Sequence, residues 1–318
     1  MSRMYMRPEE ATRISFDEAI AEALRLEMHR DAAVVSFFTS TTGVAARLAD
    51  AFADERTIRT AAIGAPLILA ACGAAQEGLR PVCELALDDA GPSALEQLAE
   101  IAVAAAGADA PTPITVRLEI GDPLASGGAA GSDPLAFLLG RRGLKVVEPS
   151  TAADAKGLTV AALRDDDPVC ILEHASLRAG IGTVPEGGHI VEIGRARLVT
   201  EGERLTMLAH GPAVALAEQA IEAAALDADL LDLRTLEPLD AEAILTSVRK
   251  TGKVVIVEPG GDSDRVSVTL AGMLWERGFE YLDGPTRRVR LSGPGTNGYR
   301  RGSDIERIAI ECDELLGY

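Results

Sequence analysis

Two periodicities alternate along the chain. In ISFDEAIAEALRLEMH, residues 14–29, the apolar positions Ile14, Ala19, Ile20, Ala23, Leu24 and Met28 fall at helical spacing behind a Ser/Asp start signal, which predicts an amphipathic helix. AVVSFF (33–38) is an apolar run of strand length. RLADAFADE (47–55) then reads as helix, and the small-residue stretch AAIGAPLILAACGAAQEG (61–78) as a helix able to pack very closely on a neighbour. PVCELAL (81–87) is a predicted strand, ALEQLAEIAVAAAGAD (94–109) a helix and PITVRLEI (113–120) a strand. GLKVVEP (143–149) adds a strand, DAKGLTVAALRDDDP (154–168) a helix with an acidic exit, and VCILEH (169–174) a last strand. Strands alternating with helices in this way build a parallel sheet covered on both faces.

AGIGTVPEGGH (179–189) is rich in glycine and turn residues and reads as a linker. The predicted division is therefore a first domain over 1–185 and a second, smaller one over 186–318. In the second, RLTMLAHG, a helix over 212–226, LLDLRTLEPLD, a helix near 240–249, KVVIVEPG, a helix near 264–277 and RRVRLSG repeat the same α/β rhythm.

Length supports two units, since 318 residues exceed one ordinary compact domain and suit two hydrophobic cores. Aromatic residues make up only 3% of the chain, so Ala, Leu, Val and Ile must fill those cores. No apolar run reaches the ~18 residues of a bilayer span, and the charged start MSRMYMRPEEATR lacks the apolar stretch of a secretory leader. A cytoplasmic protein is expected, its surplus apolar surface facing another subunit. The net charge of −18 argues against a nucleic-acid partner, whose phosphates need Lys and Arg. Cys72, Cys83, Cys170 and Cys312 lie far apart without metal-ligand spacing, as buried free thiols do.

The residues by themselves point to no reaction. SGGAAGS (126–132) has neither GxGxxG nor GxxxxGK[ST] and reads as an ordinary flexible loop. No GxSxG is present, and no serine or cysteine is spaced with a histidine and a carboxylate for nucleophilic catalysis. Of His29, His174, His189 and His210, the second and fourth stand just past predicted strands, where α/β sheets place ligand sites. RDDDP (164–168) could ligate a cation, although a helix exit needs polar turn residues in any case.

DEAIAEALRLEMHRD near the start, GLRPVCEL at 78–85, GLKVVEPSTAADAKGLTVAALRDDDPVCILEH at 143–174 and DLRTLEPLDAEAILTSVRKTGKVVIVE at 232–258 together resemble one family. It is the β chain of the decarboxylating first component of thiamin-diphosphate-dependent 2-oxoacid dehydrogenases, of the pyruvate and branched-chain types. The resemblance covers nearly the whole chain. It implies a transketolase-like α/β fold, with a pyrimidine-binding domain followed by a transketolase C-terminal-type domain. It also implies an α-type partner supplying the diphosphate and magnesium site, an assembly of two α and two β chains, and docking to a lipoyl acyltransferase or carrier protein. The expected cofactors are thiamin diphosphate with magnesium at the α interface, and potassium.

The pattern departs from the family at its chemistry. A DTPIAE-like segment in the family carries the glutamate that hydrogen-bonds the aminopyrimidine, and counting back from GLRPV places Gly64 there. The family's His-Ser-Gln element falls on Ala130, Gly131 and Ser132, and the side chains that pad the pyrimidine ring fall on Ala86 and Ala90. FFTST follows AVVS where the family has Gly-Glu-Asp. A backbone-carbonyl loop that binds potassium in the family would use Ile114, Ala162, Leu163, Asp165 and Asp167. Two functions follow as expectations. One is a subunit that, with an α chain, transfers a two-carbon or acyl unit to a lipoyl or carrier-protein acceptor. The other is a degenerate subunit of specialised metabolism that scaffolds an α-like partner or supports thiamin-independent chemistry. Alone, the chain is expected to self-associate through its small-residue face around residues 65–75.

Overall fold

A computed structural model describes residues 11–39, 43–49, 51–52, 56–108, 111–121, 133–259, 264–291 and 301–317. The chain opens with strand β1 (Ala11–Ser15), helix α1 (Phe16–Arg30), β2 (Val34–Phe38), α2 (Gly43–Ala49), β3 (Thr57–Arg59), α3 (Ala65–Gln76) and β4 (Arg80–Ala86). There follow α4 (Leu87–Ala108), β5 (Thr115–Ile120), α5 (Pro134–Leu138), β6 (Lys145–Val147), α6 (Ala152–Arg164), β7 (Val169–His174) and β8 (Ile181–Pro185). The remainder comprises β9 (Arg197–Thr200), β10 (Leu205–Ala209), α7 (Ala213–Ala224), β11 (Ala228–Asp232), β12 (Thr235–Glu237), α8 (Ala241–Thr251), β13 (Val254–Glu258), α9 (Arg265–Arg277), β14 (Arg287–Arg290) and α10 (Arg301–Leu316).

Two α/β sheets result. The first has the order β12-β6-β7-β5-β4-β2-β3, with every pair parallel except β12–β6. The second, β14-β13-β10-β11-β9, is parallel apart from its β9 edge. β1 and β8 form a separate antiparallel ribbon. The expected parallel, doubly covered α/β architecture is the observed one, and no helix among the described residues is long and apolar enough to cross a membrane.

Three local differences from the expected elements appear, and two of them have identifiable causes. Ile14 does not open the first helix, because it pairs with Gly182 in the β1–β8 ribbon and Ser15 caps the helix instead. The Ser15 side chain accepts from the Glu18 amide while the Glu18 carboxylate accepts from the Ser15 amide, a reciprocal cap worth about 1 kcal/mol. The second helix starts at Gly43 and reaches only Ala49. LLDLRTLEPLD does not continue as one strand: Asp232 ends β11, the chain turns at Arg234 (φ 55°), and Thr235–Glu237 crosses over to join the first sheet beside β6.

That crossover joins the two units. The largest buried cluster contains Val146, Cys170 and Leu172 from the first sheet together with Leu208, Leu231 and Ile256 from the second. The interior is therefore not simply two separate cores, although smaller clusters lie within each unit. All four cysteines are free, and burial pushes the Cys83 and Cys312 thiols up to about 12, so these two are inert packing groups.

Candidate functional site

The carboxyl ends of the first sheet's parallel strands form one edge, where open α/β sheets place their ligands. At one end of this edge β3 leads to Gly64, a buried residue that begins α3 by accepting from the amides of Leu67 (3.1 Å) and Ile68 (3.3 Å). Gly64 adopts φ 65° and ψ −139°, a region that only glycine occupies readily, and Pro66 stands in the first turn of the helix behind it. The position expected to carry an acid thus lacks a carboxyl group and also has a backbone geometry hostile to one. Ala86 ends β4 half-buried, and the side chain of Ala90 is not described. Ala130, Gly131 and Ser132 lie outside the described residues.

Carboxylates on the adjacent strands do not stand in for the missing acid. Arg117 on β5 grips Glu173 through two hydrogen bonds of 2.7 and 2.8 Å and reaches Glu84 at 2.7 Å. Burial opposes the Arg117 charge, but the fields of Glu173 and Glu84 outweigh it and hold the guanidinium protonated. Glu119 is held by Arg178 at 2.6 Å, and Arg178 also grips Asp17. Among the described residues, those at this end do not fit the pyrimidine end of thiamin diphosphate.

At the other end of the edge, polar groups crowd together. Glu148, immediately after β6, receives His174 Nε2 on one oxygen at 2.6 Å and His210 Nδ1 on the other at 2.7 Å. His174 ends β7 and His210 follows β10, so the cluster bridges the two sheets. A Cβ at Gly211 (φ 52°) would collide with Glu148 Oε1, so glycine is required for the carboxylate to enter. Burial alone would raise the Glu148 pKa, yet the fields of His210 and then His174, with their hydrogen bonds, hold it below the ordinary carboxylate range.

Asp154 and Asp232 lie in the same junction. Asp154 pairs with Arg234 at 2.6 Å and with Arg197 at 3.5 Å, while Asp232 pairs with Arg197 at 3.0 Å and accepts from Ser150 at 2.5 Å. Of the residues singled out in the sequence, the structure brings His174 and His210 together; His29 and His189 stay outside this cluster. Glu148, Asp154, Asp232, Arg197 and Arg234 were not singled out. One available signal was the acidic residue closing the apolar runs KVVE, LLD and VVIVE.

The five residues of the expected cation loop gather between α6, β5 and β7. The Ile114 carbonyl accepts from the Val169 amide and that of Ala162 from the Asp165 amide. Arg80 donates to the carbonyls of Leu163 (2.8 Å) and Asp165 (2.5 Å). Lys145 Nζ binds the Asp165 carboxylate at 2.8 Å and that of Asp167 at 3.1 Å. Two cationic side chains, Arg80 and Lys145, thus already serve the carbonyls and carboxylates of this loop, and Arg80 also pairs with Asp166 at 3.1 Å.

Two family descriptions match the chain: "Transketolase, pyrimidine binding domain" over residues 12–179 and "Transketolase, C-terminal domain" over 194–300. The acetoin:2,6-dichlorophenolindophenol oxidoreductase subunit beta of Bacillus subtilis is 31% identical over 303 residues, covering 87% of this chain and 88% of that protein. The 2-oxoisovalerate dehydrogenase subunit beta of the same organism is 33% identical over 298 residues, covering 88% and 89%. Among solved structures, a split-gene transketolase described as an inactive beta4 tetramer superposes with a TM-score of 0.72 at 22% identity, covering 96% of this chain and 98% of that one.

Proposed function

The chain belongs to the β-subunit family of thiamin-diphosphate-dependent 2-oxoacid dehydrogenases, and on that premise we propose that it is the β-type half of a complex of two α and two β chains. In this reading the α chain supplies the diphosphate and magnesium ligands, and the complex passes a two-carbon or acyl unit to a lipoyl or carrier-protein acceptor in the cytoplasm. This chain supplies interface and support, without the carboxylate that assists the aminopyrimidine. The match to the pyrimidine-binding description over residues 12–179 is the observation that supports this reading.

Gly64, whose backbone geometry disfavours a carboxylate-bearing residue, favours a second reading, a repurposed subunit that scaffolds an α-like partner or supports thiamin-independent chemistry. Calorimetric titration of thiamin diphosphate and magnesium into the co-purified pair separates the two. Saturable binding is the result expected of the first reading. No binding, by the natural pair or by one carrying Gly64→Glu, overturns it and leaves the second.

A further inference from the structure

We infer that Glu148, His174 and His210 form a proton-loaded latch that fastens the second sheet to the first, held closed by an imidazolium at His210. The argument starts from charge. The C-terminal ends of β6, β11 and β13, with the first turn of α6, bring Glu148, Asp232, Glu258 and Asp154 into the junction, none more than 3% exposed. Facing them are three permanent cations: Arg197 on Asp232 and Asp154, Arg234 on Asp154, and Arg288 at 3.7 Å from Glu258. Among the described residues, four buried carboxylates meet three guanidinium groups, and Arg288 is further shared with Asp264 at 3.8 Å. An uncompensated charge in so dry a place is costly, so one more positive charge is required.

Geometry assigns that charge to His210. Its Nδ1 lies 2.7 Å from Glu148, it is 3% exposed, and its Nε2 has no hydrogen-bond partner among the described residues. The unpartnered nitrogen lies in the field of Glu258 and Asp232, which favours its protonated form. His174, on the other Glu148 oxygen, is partly exposed to solvent. Glu218 adds its field at Arg197. The rival location for the proton is Asp232, whose pKa is pushed up by burial and by Asp154.

The sign of the pH dependence follows. Burial opposes protonation of His210, but Glu148 outweighs it and the folded pKa is raised above 6.5. The latch's contribution is therefore complete below about pH 6.5 and declines as pH rises towards the folded value. Over that interval the junction's opening constant grows about tenfold per pH unit, as one linked proton dictates, and then levels off. The Glu148 amide, which donates across the junction to Arg234 O at 2.8 Å, reports the opening directly.

The test is amide hydrogen exchange on the full chain between pH 6 and 9, corrected for intrinsic rates, with histidine-ring nitrogen NMR beside it. Protection at Glu148 and across β6 and β12 should decline with pH while β4 and β5 keep theirs, and the His210 ring should titrate above 6.5. Glu148→Gln should abolish the slope. His210→Asn, which keeps a donor for Glu148 without titrating, should give a flat profile even if the first variant folds poorly. A His210 ring that is neutral throughout, a proton found on Asp232, or an unchanged slope in His210→Asn overturns the latch.

Discussion

The two ends of one sheet edge differ sharply. Around Gly64 and Ala86 the described side chains are small and none of them is a free carboxylate, whereas around Glu148 the edge holds buried acids, two imidazoles and three arginines within the reach of two sheets. The first end is where the family resemblance places thiamin chemistry; the second is where the two halves of the chain join. Buried charge is tolerated only where partners satisfy it, so the polar end is under stricter geometric constraint than the end from which the acid is missing.

Removing a charge from the crowded end should do the most damage. Asp154→Ala leaves Arg234 without its 2.6 Å partner and Arg197 with one partner fewer, and deletes the acceptor of the Thr151 hydroxyl. A loss of about 3–5 kcal/mol is expected from breaking a buried pair. Urea unfolding checks it. A loss below about 1 kcal/mol, the scale of an exposed ion pair, would show that the junction is wetter than described.

At the sparse end the strongest handle is the helix behind Gly64. Pro66, Leu69, Ala70 and Gly73 share an exposed face of α3, and Leu69 is 51% exposed. Without an α partner this face should bind another copy. Leu69→Lys should weaken that association by about 1.5–3 kcal/mol, the contribution of one buried leucine. Sedimentation of the lone chain reads the effect, and a wild-type chain that stays monomeric at high concentration refutes it.

Gly64 itself gives the next effect. Gly64→Ala should destabilise by about 1–3 kcal/mol from backbone strain alone. Gly64→Glu should do the same without raising affinity for thiamin diphosphate in the co-purified pair. If the glutamate variant instead gains affinity at no cost in stability, the backbone at this turn adapts readily and the two ends of the edge are less different than their geometry indicates.

The contrast also explains what could be read in the sequence. β2, β4, β5 and β7 are short apolar runs whose burial on both faces leaves an unambiguous strand signal, and the helices between them carry their own period. β9, the crossover of β12 and the terminal helix α10 were not legible, because each is fixed by the element it packs on. At the site, counting from GLRPV placed Gly64, but its positive φ is a property of the folded turn. His210 stood out as a histidine past a strand. Glu148 did not, since its partners lie 26 and 62 residues away and sequence spacing carries no trace of them.

The smallest expected effect concerns the loop of Ile114, Ala162, Leu163, Asp165 and Asp167, a third place where carboxylates and carbonyls converge. Here the compensating charges belong to Arg80 and Lys145. A specifically bound ion at a hundred times its dissociation constant would stabilise the fold by about 2.7 kcal/mol. Such a gain would raise the melting temperature by several degrees, on the order of 2–4 °C per kcal/mol even for a domain of ~150–250 residues. With two resident cations the expected shift on exchanging sodium for potassium chloride at constant ionic strength is below about 1 °C, within the scatter of nonspecific salt effects. A potassium-specific rise that persists in Lys145→Met, where one resident charge is gone, and grows relative to the natural chain would show that the side chains compete with the ion for these oxygens. The absence of any rise in either form would assign the loop's charge balance to Arg80 and Lys145, leaving the junction as the place where an exchangeable cation, the proton, controls the fold.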